Sequence, residues 1–151
     1  MALDAVAILN QVVAHAQETG YFGRVIRHEP KNAPGNGLTC AVWVQNLAPA
    51  SRSGLAATSV VLTLSVRVYD GMLREPQDDI DVQILLAVQD LMNAYSGDFD
   101  LGGTVSNVDL LGEEGTKMSA QAGYLNIDNK LYRAMIITLP IIVNDVWTQS
   151  A

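Results

Sequence analysis

The residues that could do chemistry are few and scattered. Cys40 is the single cysteine, so an internal disulfide is excluded, and no nucleophile signature surrounds it. His15 and His28 are the only histidines. Neither has a second His or Cys at metal-ligand spacing, and His15 is placed on the exposed side of the first helix. Asp78, Asp79 and Asp81 crowd together, which could suggest a cation site. They open an apolar-periodic segment, however, where first-turn acids cap a helix and complement its dipole. Asp98 and Asp100 lie in the loop after that helix and are read in the same way. Serine is plentiful, but no Gly-x-Ser-x-Gly elbow occurs, and neither a Walker loop nor Gly-x-Gly-x-x-Gly follows a strand. Gly102-Gly103 has no helix behind it to hold phosphate and reads as a turn. The chain is read as non-enzymatic, with no catalytic, metal or cofactor site.

Composition narrows the partners. The chain of 151 residues is long enough for one domain with a real core, 1–151. It is 49% hydrophobic and only 17% charged, with a formal net charge of -7. Its nine basic residues are scattered singly, which argues against gripping nucleic acid, because phosphate contacts need clustered Lys and Arg. Residues 1–20 lack a basic start and an unbroken apolar run, so no secretory signal is expected, and no apolar stretch approaches a membrane span.

The elements follow from periodicity. Residues 58–69 alternate strictly, with Val60, Leu62, Leu64, Val66 and Val68 on one face. After the Pro76 loop the spacing turns helical over 79–95: Ile80, Ile84, Leu85, Val88, Leu91, Met92 and Tyr95. A helix over 3–19 precedes them, with Asp4 near its positive end and Gly20 as its stop. Strands are expected over 24–29, 38–47, 104–111, 118–127 and 130–143. Asp128-Asn129 reads as a tight hairpin turn, and Pro140 places its end of the last strand at an edge or a bulge. The order is α-β-β-β-α-β-β-β. The fold class is α+β: a mainly antiparallel β-sheet with two helices packed on one face, and a long β-hairpin joining 38–47 to 58–69.

Apolar and aromatic side chains also fall where a monomer puts polar ones. Trp43 sits on the strand face opposite Cys40 and Val42. The last strand is apolar on both faces: Leu131, Met135, Ile137 and Leu139 on one, Tyr132, Ala134, Ile136 and Thr138 on the other. With two helices available, its second face is expected to lack intramolecular cover. Trp147, near the end, reads as an anchor into a neighbour.

The layout resembles the tail terminator (minor tail) proteins of long-tailed bacteriophages. The resemblance rests on the N-terminal helix, the stretch Phe22-Gly-Arg-Val-Ile-Arg-His-Glu-Pro30, the polar hairpin tip 48–57, the acidic-capped helix after Pro76, and the β-rich second half ending in 132–143. It implies a structural virion protein at the neck end of the tail, assembled in the host cytoplasm. Such a protein forms a ring, in this family a hexamer, that caps the tail tube, stops its polymerisation and joins it to the head. The implied partners are further copies of the chain, the tail tube protein and a neck or connector protein, with no membrane. DNA passes through the ring without sequence-specific binding. The implied contact residues are Trp43, Ser51, Arg52, Ser53, Arg67, Tyr69, Arg74, Tyr132 and Trp147, with the arginines reaching acidic neighbours. Two alternatives stay open: a head–tail connector or tube subunit, and a small-molecule-binding or enzymatic domain with a pocket near Arg67, Tyr69 or Tyr124.

Overall fold

The computed structural model describes residues 3–27, 38–51, 56–71, 80–127 and 129–148. Helix α1 spans Ala5–Glu18. The Asp4 carboxylate accepts from the Ala7 backbone N at 3.1 Å, satisfying one of the amides a helix start leaves without a partner. Gly20, at φ +77°, turns the chain out of the helix in the left-handed conformation that glycine adopts without penalty. Strands β1 (Arg24–Ile26), β2 (Thr39–Pro49) and β3 (Ala57–Gly71) follow, then helix α2 (Ile80–Gly97). Strands β4 (Asn107–Val108), β5 (Ser119–Ile127) and β6 (Lys130–Thr148) complete the described elements. This is the α+β order expected from periodicity.

The strands form one curled sheet in the order β1-β2-β3-β6-β4, with β5 also paired to β6. β2 and β3 pair antiparallel from Thr39↔Tyr69 to Pro49↔Val60, so the long hairpin is present. Only β1, beside β2, is parallel to its neighbour among the described strands. The predicted alternation in β3 holds: Val60, Leu62, Leu64, Val66 and Val68 all lie in the main core. They meet Ile8, Val12 and Ala16 of α1, Ile84, Val88 and Leu91 of α2, and Leu139 and Ile141 of β6. Each such side chain contributes about 1.5–3 kcal/mol on full burial, so one sheet face and two helices account for most of the fold's drive.

Four expectations change. Leu85 belongs to the predicted helix stripe yet is 55% exposed, and Ala87 takes the inward position instead. The strand expected over 104–111 shrinks to two residues. Its N-terminal half is spent on turn bonds, Thr104 N to Leu101 O and Val105 N to Asp100 O, and Leu101 adopts φ +47°.

Pro140 lies in a central strand rather than at an edge, opposite Thr63 of β3. Its carbonyl accepts from Asp109 N at 2.9 Å, so its nitrogen, which points the same way, also faces away from β3. On that side β5 pairing ends at Thr138 and β4 pairing begins at Ile141. The missing N–H therefore falls in a gap between two neighbours and breaks no ladder.

The fourth change concerns the second sheet face, part of which is covered within the chain, with Tyr132 and Ala134 buried and Ile136 and Thr138 half-buried. Tyr69 and Tyr132 are 1% and 5% exposed and meet edge to face at 6.0 Å between ring centroids. The small neighbours Ala41 and Ala134 leave room for the rings, and Ile26, Leu125 and Ile127 from the outer strands pack against the same cluster. Farther along, Ala50, Val61 and Ile142 form another buried group.

Candidate functional site

The groups with chemical potential are occupied structurally. Cys40 is fully buried in the main core, and burial pushes its thiol up to about 12, far from a reactive thiolate. His15 does not face solvent as expected. Its Nε2 lies 2.7 Å from Asp98 Oδ2, and its ring meets Tyr95 edge to face. Asp98 also accepts from Gln11 Nε2 at 3.2 Å and from Gly102 N at 3.0 Å. The hydrogen bond from His15 lowers the Asp98 pKa, with the Gly102 and Gln11 donors adding to it against the opposing effect of partial burial. The result is a clasp between α1 and the turn after α2. Gly102 and Gly103, at φ +68° and +84°, form that turn as expected. Neither histidine spacing nor periodicity could have found a pair of residues so far apart in the chain.

Of the acids before and in α2, Asp78 and Asp79 lie outside the described residues, as does His28. Asp81 accepts from Arg133 Nε at 2.9 Å, tying the helix start to β6. Among the described residues no group of three His, Cys, Asp or Glu side chains is placed to hold a metal ion. No helix among them is long and apolar enough to cross a membrane.

The expected contact residues divide. Trp43 is half-buried, with the Arg67 guanidinium stacked over its ring at 4.7 Å. Tyr69 and Tyr132 are core residues of the second face and present no open surface. Ser51 is exposed at the hairpin tip, donating from N and Oγ to Glu114 Oε2 at 2.6 and 2.5 Å. Arg52, Ser53 and Arg74 lie outside the described residues. Trp147 is 41% exposed near the end of β6. Tyr124 is exposed on β5 beneath the Arg133 guanidinium, at 4.6 Å.

Among the described residues, two unlike apolar surfaces lie toward opposite ends of the sheet. One is an open groove of about 830 Å³ between α1 and β1, lined by Val6, Leu9 and Val13 of the helix, by Val25 and Ile26 of the strand, and by Arg27 just beyond it. Asn10 also lines it and accepts from Arg27 at 2.5 Å. The signal was present in the sequence, since Val6, Leu9 and Val13 fall at i, i+3, i+7, a second apolar line on α1 beside the one that faces the core. The other surface is the far end of the sheet, where Val44, Leu47 and Trp147 are exposed. β1 pairing ends at Ala41, so the strand edge beside Val44 and Leu47 has no neighbour among the described residues, while their partners Leu64 and Leu62 on β3 are buried.

Among known proteins, no family model matches the sequence, and no curated protein matches it. A solved structure with a related outline is the sheath/tube terminator of an extracellular contractile injection system, PVC, in its extended state. The alignment covers 100% of this chain at 10% identity, with a TM-score of 0.46. The chain spans 62% of the length of that protein. A likeness this loose assigns no role to any residue.

Proposed function

We propose that the chain is a structural, ring-forming protein of a phage-type tail, which caps the tail tube, stops its growth and offers a seat to the head or neck. The observation that supports this reading is the pair of unlike apolar surfaces at opposite ends of one sheet: the α1–β1 groove and the exposed end bearing Val44, Leu47 and Trp147. A closed ring joins subunits head to tail, and each subunit then needs two different patches that face each other across every interface. The sequence resemblance to tail terminators supplies the particular assembly: a hexamer bound to tube protein on one side and to a connector on the other. A net charge of -7 suits a ring around passing DNA, since an acidic wall repels phosphate.

The test is mass photometry and sedimentation of the pure chain across a wide concentration range, alone and with tube protein. Closed oligomers of one size, and tubes capped at one end, are the expected result. Long tubes of this chain alone would favour the tube-subunit alternative. A strict monomer that never binds tube ends refutes the proposal.

A further inference from the structure

Several strand edges have no strand beside them among the described residues, on β1, on β2 beyond Ala41, on β4, on β5 and at the end of β6, and two of them matter here. The first is the outer edge of β1, the last strand of the sheet on its side. The second is the end of β6. β4 covers only Ile141 and Ile142 on that side, and residues 146–148 keep β3 alone as their neighbour, through Thr58↔Trp147 and Ala57↔Thr148. Between these paired stretches the register slips from Val60↔Val143 to Thr58↔Trp147, a bulge on β6. Asp145 sits in it at φ +56°. Asn144 N donates to Ser106 Oγ at 3.0 Å, and Asp145 N donates to Ser59 Oγ at 3.1 Å. These bonds hold the bulge, and a bulge of this kind re-aims the side chains beyond it, here Trp147.

We propose that residues 146–148 of one copy add as a strand to the open edge of β1 in a second copy, with Trp147 seated in the α1–β1 groove of that copy. The inference rests on the ring reading above and names the joint that closes it. Strand addition satisfies backbone groups on both edges, and the groove supplies an apolar seat for the aromatic ring. The groove's volume of about 830 Å³ admits an indole with adjoining aliphatic carbons. Its one charged lining residue is a cation, Arg27, and the exposed residue two positions before Trp147 is an acid, Asp145. Trp147 does not fill the groove of its own chain, because pairing to β3 pins residues 147 and 148 at the end of the sheet opposite that groove.

The test uses two full-length variants, each altered at an exposed position, so that neither change removes core packing. Val6→Arg blocks the groove (Val6 is 63% exposed), and Trp147→Arg blocks the insert. With circular dichroism and thermal midpoint unchanged from wild type, each variant alone is expected to lose self-association by on the order of tenfold or more, as at an interface anchor. An equal mixture is expected to form dimers and stop there, because one intact insert meets one intact groove. Cysteines at the two surfaces, Asn10→Cys in one variant and Thr148→Cys in the other, are expected to cross-link only in the mixture. Variants that assemble as wild type does overturn this joint while leaving the ring reading in place. Folded variants that give neither dimers nor cross-links when mixed also overturn it. A wild-type chain that stays monomeric with and without tube protein overturns the ring reading, and the joint with it.

Discussion

Tyr132→Ala separates two roles for the second sheet face. Tyr132 is 5% exposed and stands edge to face with Tyr69, so the structure makes it part of the subunit's own core rather than a surface kept for partners. A tyrosine buries about 150 Å² or more, which at roughly 25 cal/mol per Å² is about 4 kcal/mol. A compact denatured state lowers that by some 10–40%, and the aromatic pair with Tyr69 restores about 1 kcal/mol. The expected cost is therefore about 3–4 kcal/mol, in the range measured for large aromatic truncations. Urea unfolding at a concentration where the chain is monomeric reads this as a fall in midpoint at constant slope. Tyr132→Phe keeps the ring and is expected to cost far less. A change below about 1 kcal/mol for Tyr132→Ala, accompanied by loss of self-association, would refute the core assignment and return Tyr132 to the interface.

Other perturbations test separate parts of the structure. Asp98 has its pKa held below the ordinary 3.8 by the His15 hydrogen bond, so the clasp stabilises the fold above that pH and its contribution is lost as the pH falls through the lowered value. Unfolding free energy measured from pH 5 downward should fall less steeply for Asp98→Asn than for wild type. Pro140→Ala should cost about 1–3 kcal/mol in chemical denaturation, since the added N–H breaks no ladder but enters a buried gap between β5 and β4. A larger loss would mean that the gap is packed shut. The Cys40 thiol, pushed up to about 12 by burial, should resist a thiol reagent at pH 8 in the native protein and react once urea unfolds it. Rapid native labelling would contradict its place in the core.

Local pattern carried most of the architecture. The alternation of Val60, Leu62, Leu64, Val66 and Val68 announced a strand with one buried face, and all five are in the core. Gly20 and Asp4 marked the ends of α1 through conformational and capping preferences that act within one turn. The weakest readings were those that required knowing a neighbour. Leu85 fits a helical stripe as well as Ala87 does, and only the direction from which the sheet approaches α2 decides which of them is buried. His15 looked solvent-facing because its partner Asp98 is distant in sequence. Pro140 looked like an edge marker because its tolerance in a central strand depends on where β5 stops and β4 starts.

By itself the sequence determined the α+β class, the order of elements, the antiparallel hairpin and the inward face of β3. These depend on side-chain period and on turn chemistry, which are local. It also showed that no recognised catalytic motif is present. Tertiary structure alone decided that Tyr69 and Tyr132 close over part of the second face, because burial there depends on how the sheet curls and on side chains from separate strands meeting. It alone placed the α1–β1 groove at one end of the sheet and Trp147 at the other. An interaction surface is defined by what is left uncovered after every element has packed, and no single segment of the chain carries that information.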